Sequence, residues 1–390
     1  MKTLVGIFVG LVTLISITWV NTAQAIPAFA RKYEKSCSSC HTAWPLLNKA
    51  GRTFKEAGYR FPSEDKHSQK IKGITWGKSF PVSVMLVARP YDKKDTAKDP
   101  KLRAIHEVEI LIAGAMGKKW SGFIEYEAED EGNFELEYGH AALSWNHSKA
   151  LNVQFTYGPA LFADSYDTYG MRRLTRGRAF TIDNAFGGAD NDGKLRTNRQ
   201  QVSLYGRPIS NLFYSVGYSG ASGDSEGEAP GTVHARVAWD VMPKIMVGLF
   251  HLNGTCDAAV GAPNCIVDRD FKRTGIDVQA DVNNFRFTAA FLNAEDDNVT
   301  ATATEDNDVY FVQGLYVHRK DKRPIWTALL RYDNEEGTNG TLERKAWTAN
   351  VGYYFKENVR GFVEFYSENK NTIDPTAKHD RVTLQLVVGF

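Results

Sequence analysis

Arg381-Val382-Thr383-Leu384-Gln385-Leu386-Val387-Val388-Gly389-Phe390 decides the fold. Side chains alternate across an extended chain, so Val382, Leu384, Leu386, Val388 and Phe390 share one face and Arg381, Thr383 and Gln385 the other. Working back toward Phe80, no helical period persists. Runs of the same alternating kind recur about sixteen times, divided by turns rich in Gly, Asn, Asp and Lys. The first is expected over 80 to 89, and others over 105 to 117, 134 to 146 and 231 to 240. Their connections alternate between tight ones, such as Gly117-Lys118-Lys119 and Lys356-Glu357-Asn358, and long ones, such as Pro90 to Ala104, Pro159 to Thr197 and Glu368 to His379. Short turns at one rim and long loops at the other mark a closed membrane barrel, whereas a soluble sandwich needs no such order. The expected fold is mainly β: an antiparallel transmembrane β-barrel of about 16 strands over residues 78–390, with outer-membrane lipid around it.

Trp120, Trp145, Trp239, Trp326 and Trp347 fall at or near strand ends, as interfacial girdles do. An aromatic at the outward parity of the last strand resembles the closing strand of outer-membrane barrels, which their insertion machinery reads. With 47 basic against 46 acidic residues, the chain has no charge excess to hold a polyanion. There is no phosphate-binding glycine loop, no nucleophile elbow and no basic tract, so nucleic-acid binding is not expected.

The front of the chain reads differently. Residues 1–25 carry an apolar run from Leu4 to Val20 and end in Ala23-Gln24-Ala25, which predicts a secretory signal peptide. Residues 26–77 form a short segment around Cys37-Ser38-Ser39-Cys40-His41. Two thiols two residues apart, followed directly by histidine, suit covalent attachment of one haem c. Cys37 and Cys40 add to the vinyl groups, and His41 is held as the proximal iron ligand. Zinc would need two further ligands, and none follows at the right spacing. A helix is expected from Thr42 to Gly58, with Leu46, Ala50, Phe54 and Ala57 on one face. A segment this short buries a haem poorly by itself. It is therefore expected to enter from the periplasmic rim and plug the barrel lumen, which sixteen strands make wide enough.

His67 is the candidate distal ligand between Thr42 and Val84; Met85 and the barrel histidines His140, His234 and His251 stay open as alternatives. Cys256 and Cys265 lie in one long loop and predict a disulfide. Glu107, Glu109, Glu125, Glu127, Glu129, Glu135 and Glu137 alternate with apolar residues on neighbouring strands. They are expected to form an acidic lumen wall that attracts divalent cations, unless Arg331, Arg344, Arg360 or Arg381 pairs with them across the interior.

The order of parts resembles the fused monohaem cytochrome-porins of the bacterial outer membrane. The residues that carry the resemblance are Ile26-Pro27-Ala28-Phe29-Ala30-Arg31, Cys37 to Ala43, and Leu46-Leu47-Asn48-Lys49-Ala50-Gly51-Arg52-Thr53-Phe54-Lys55 leading to Gly58-Tyr59. The resemblance implies an outer-membrane electron conduit. It would take electrons from an extracellular donor, ferrous iron being the candidate, and pass them to a periplasmic c-type cytochrome. The alternatives are a solute-transporting porin with a haem-bearing plug, and a haem enzyme of peroxidase type.

Overall fold

The computed structural model describes residues 27–63, 66, 68–71, 74–77, 80–93, 99–169, 172–183, 194–220, 231–256, 269–297, 304–337, 343–371 and 379–390. The expected signal peptide, His67 and Cys265 lie outside the described residues, and the Cys256–Cys265 disulfide lies outside them with Cys265.

The N-terminal segment contains α1 (Pro27–Tyr33), a 3-10 turn (Cys37–Ser39), a small hairpin of β1 (His41–Ala43) and β2 (Leu46–Leu47), then α2 (Lys49–Glu56). A second hairpin, β3 (Ser68–Ile71) and β4 (Ile74–Gly77), leads to the barrel. Its first strands are β5 (Val82–Lys93), β6 (Lys101–Met116), β7 (Trp120–Glu129), β8 (Glu137–Asn146) and β9 (Asn152–Gly158), after which comes a short helix, α3 (Phe180–Asp183). The rest are β10 (Arg199–Ile209), β11 (Leu212–Ser219), β12 (Thr232–Met242), β13 (Ile245–Cys256), β14 (Arg269–Val282) and β15 (Phe285–Asp297). They are followed by β16 (Thr304–Lys320), β17 (Arg323–Gly337), β18 (Glu343–Lys356), β19 (Val359–Asn371) and β20 (Asp380–Gly389). Strands β5 to β20 form one closed antiparallel barrel, sealed where β20 pairs with β5.

The barrel wall inverts the pattern of a soluble protein. On β12 the buried, inward residues are Thr232, His234 and Arg236, whereas Val233, Val237 and Trp239 face out; Trp239 is 51% exposed and Arg236 is 0% exposed. Outward apolar and inward polar side chains are what a lipid-embedded barrel requires, since no backbone group at a closed wall is left unpaired.

Two expectations are corrected. The helix expected from Thr42 starts only at Lys49, because Pro45 has no amide hydrogen to give and Asn48 caps the helix, its Oδ1 accepting from Gly51 N at 3.0 Å. The connection from Pro159 to Thr197, expected as an outer loop, instead folds into the lumen over its described residues. Leu161, Tyr169, Phe180, Ile182 and Leu195 pack there against the inward Phe250, Leu252, Phe271 and Leu292. Burying those aromatic and branched side chains outweighs leaving the connection in water.

Candidate functional site

The N-terminal segment occupies the short-turn end of the lumen and is tied to strands all round it. Arg286 of β15 donates to Leu47 O (3.1 Å) and Thr42 Oγ1 (2.8 Å). Arg207 of β10 forms a bidentate pair with Glu56 at 2.6 and 3.0 Å. Tyr354 of β18 donates to Trp44 O at 2.8 Å, and Ala28 N donates to Ser83 Oγ of β5 at 3.2 Å. Arg60 reaches the Lys118 carbonyl in the β6–β7 turn. Gly58 takes φ +70°, and a side chain there would strike Asn146 and Ser121 on the inner wall. The Arg207–Glu56 pair is mostly buried, and hydrogen bonds to charged groups contribute about 1.5–3 kcal/mol each. Arg207→Gln is expected to make the segment cleavable by trypsin from the short-turn side while the barrel's thermal midpoint holds; unchanged protection would show that this pair does not lock the segment.

Within the segment, the Cys37–His41 turn is built by its neighbours. Asn48 N donates to Cys40 O at 2.9 Å, and Asn48 Nδ2 donates to Ser38 O at 3.3 Å. Gly51 lets α2 lie against the turn, because a Cβ there would collide with the Cys40 carbonyl. From the barrel side, Glu357 in the β18–β19 turn accepts from Ser38 N at 2.8 Å. His41 Nδ1 donates to Pro45 O at 3.0 Å, which leaves the lone pair on Nε2. Desolvation in the lumen pushes the His41 pKa down to about 4, so the ring is neutral. Burial raises both thiols, and Glu357 raises Cys37 further.

Cys37, Cys40 and His41 all line one lumen cavity of about 400 Å³. Phe29, Tyr33, Trp44, Phe54 and Phe123 line it with bulky apolar surface. The donor set fits haem c: two thiols for thioether bonds, a neutral imidazole already oriented by a carbonyl, and an aromatic cavity in the size range of cofactor sites. Met85 and His140 line the same cavity; His140 Nδ1 lies 3.2 Å from Glu125. His234 is buried on the lumen face but not on this cavity, and His251 is exposed and paired with Thr274.

The acids divide. Glu107, Glu109, Glu125 and Glu127 line the cavity, and Glu129 sits directly across from Glu107. Glu137 lies directly opposite Glu127 and continues the wall as an exposed residue at the long-loop rim, whereas Glu135 is exposed ahead of β8 and does not pair into it. A 3-10 turn (Asp130–Gly132), then Asn133 and Phe134 at positive φ, delay β8 until Glu137. The arginines that could have neutralised the wall are engaged elsewhere: Arg331 with Asp333, Arg344 with Glu335 and Glu368, Arg360 with Leu174 O, and Arg381 with Glu364. Arg172, Arg173 and Arg178 of the inserted connection line the same cavity as the acids, as do Arg89, Arg196 and Arg360. Burial lowers Arg178 to about 9.

Sequence reasoning missed Arg172, Arg173 and Arg178, because their connection was expected outside the lumen. It also missed His106. Strict alternation would turn His106 outward beside Glu107, but both are buried. The span 87 to 89 on β5 faces 103 to 107 on β6, so β6 bulges there and re-aims His106. The available signal was a slip in apolar phase, with Ala104 and Ile105 both exposed in succession.

No protein-family model matches the chain, and no curated protein matches it. Among solved structures it is similar to OmpF of Salmonella typhi in complex with daunomycin, with 15% identity, covering 83% of this chain and 100% of that one at a TM-score of 0.59. It is also similar to an anion-selective porin from Comamonas acidovorans (12% identity, 79% and 98% covered, TM-score 0.59). A third is a loop L8 deletion mutant of the outer membrane protein OmpT of Vibrio cholerae (14%, 79% and 98%, TM-score 0.57). At these identities the likeness is one of fold: a porin-like barrel.

Proposed function

We propose that this porin-like chain is an outer-membrane electron carrier of the cytochrome-porin kind, with haem c held by Cys37, Cys40 and His41 inside the lumen. Its donor is an extracellular reductant, with ferrous iron the candidate, and its acceptor a periplasmic c-type cytochrome. The observation that carries the reading is that Cys37, Cys40 and His41 line one lumen cavity together with aromatic side chains and carboxylates. Haem would supply a one-electron redox centre. Cys37 and Cys40 would fix its place, and His41 would offer Nε2 to the iron while Pro45 O orients the ring. Glu357 and Asn48 hold the turn, and the inserted connection closes over the cavity from the long-loop side.

The full-length protein in liposomes is expected to show one covalent haem by pyridine haemochrome. Ferrous ion added outside should reduce it on a stopped-flow timescale, with a ferrous spectrum unchanged by carbon monoxide. A protein without covalent haem would overturn the reading, and a carbon monoxide shift would favour the peroxidase-type alternative. A second reading, a solute-transporting porin with the N-terminal segment as plug, is favoured by the porin fold. Liposome swelling in small sugars at rates typical of open porins would support it against the first.

A further inference from the structure

We propose that His106, Glu107 and Glu129 bind a divalent first-row transition-metal ion between the cavity and the long-loop mouth. One ring nitrogen of His106 and one carboxylate oxygen from each glutamate lie within 4.8 Å of one another. A cation at about 2.1 Å from each atom needs only small side-chain rotations to close that triangle.

Three independent features point to an ion there. The first is the β6 bulge, which turns His106 into the lumen at 2% exposure. Bulges of this kind recur beside functional sites because they re-aim a single side chain. The second is the orientation of the imidazole. His106 Nδ1 donates to Asp130 Oδ1 at 2.7 Å, and among the described residues no hydrogen bond reaches Nε2. A carboxylate that holds one ring nitrogen while the other keeps its lone pair is the usual outer support of a metal-bound histidine. Arg103, 3.0 Å from the same ring nitrogen, is itself paired with Asp92, Asp130 and Glu131, and among the described residues it forms no ion pair with Glu107 or Glu129.

The third is charge. Glu107 stands opposite Glu129 in the ladder, and Glu109 opposite Glu127. Like charges directly across a strand pair are destabilising. Among the described residues none of the four is ion-paired with a lysine or arginine. Arg89 and Arg178 act on Glu107 through space without an ion pair, and a doubly charged cation on one nitrogen and two carboxylate oxygens would add positive charge in direct contact. That ligand set suits Mn, Fe, Co or Zn in the divalent state, rather than calcium or magnesium, which take oxygen alone, or cuprous ion, which takes thiolate.

Glu107 also lines the cavity that holds Cys40 and His41, so an ion bound here docks beside the proposed haem. Its role as an electron donor's station rests on the electron-carrier reading; its existence as a cation site does not.

The experiment is a Mn(II) titration of the full-length protein in detergent, followed by electron paramagnetic resonance. Wild type is expected to remove one equivalent of free Mn(II) and to show nitrogen coupling in the bound signal. His106→Ala should abolish that coupling and weaken binding at least about tenfold, as should Glu107→Gln with Glu129→Gln, and Asp130→Asn should weaken it roughly 10- to 100-fold. Glu135→Gln should leave affinity unchanged. No bound equivalent, bound Mn(II) without nitrogen coupling in wild type, or equal affinity in folded variants would overturn the site. The wild-type coupling needs no variant, so a variant that fails to insert does not spare the proposal. Haem content measured on the same samples separates the two readings: haem-free protein that still binds Mn(II) overturns the electron carrier and keeps the cation site.

Discussion

Cys40→Ala is expected to yield a barrel that inserts with its normal heat-modifiable mobility but carries no covalently bound haem on a denaturing gel. His41→Ala should likewise lose the cofactor. On the proposed haem c reading the loss is large because one thioether and the axial nitrogen would come from adjacent residues of a single turn. The barrel survives because the N-terminal segment is held by contacts made elsewhere: Arg286 on Thr42 and Leu47, Arg207 on Glu56, and Tyr354 on Trp44. Haem content equal to wild type in either variant would refute the attachment assignment. Loss of barrel insertion would show instead that the cofactor is needed for assembly.

Arg236→Met should have the largest effect on stability. Arg236 is fully buried, bonds Asp277 through Nη1 and through Nη2 (3.0 Å), and reaches Asp164 Oδ2 at 3.1 Å. Removing it strands two carboxylates away from water, which costs about 3–5 kcal/mol for a broken buried pair. Asp164 belongs to the inserted connection, and Lys55 of α2 donates to its backbone carbonyl at 3.0 Å. The damage should therefore spread from the wall to the connection and on to the plug. A lowered thermal midpoint with faster proteolysis between 159 and 183 is the expected readout. Adding Asp277→Leu should recover part of the loss, since it removes one stranded charge. A midpoint unchanged in Arg236→Met would mean that water reaches this pair freely.

The barrel was legible because its rule is local. Each strand declares its inward and outward faces by parity, as Val382 to Phe390 and Val233 to Trp239 do, and each turn declares its rim by length. The Cys37–His41 turn was legible as a candidate site because its three residues are adjacent in sequence. What escaped was set by long-range packing. The described residues of the 159–197 connection go inward because Phe250, Leu252 and Phe271 offer them an apolar wall some distance along the chain. The start of α2 depends on Pro45 and Asn48 together, and a helical period read across them overruns it. His106 was hidden by a two-strand mismatch that no single strand records; only the doubled exposure of Ala104 and Ile105 betrays it.

Closing the cylinder joins the two ends of the sheet, Val382 meeting Lys93 and Gly389 meeting Met85. Such non-local pairing is slow to form, because chain entropy is spent before contacts return it. Residues of the N-terminal segment brace both sides of that seam. Arg31 donates to Val82 O at 2.7 Å on β5, and Trp44 packs in one cluster with Val87 of β5 and Val387 of β20. The N-terminal segment thus works as a clasp across the seam, holding the first and last strands of the cylinder through contacts that need no cofactor, in keeping with a barrel expected still to insert in Cys40→Ala.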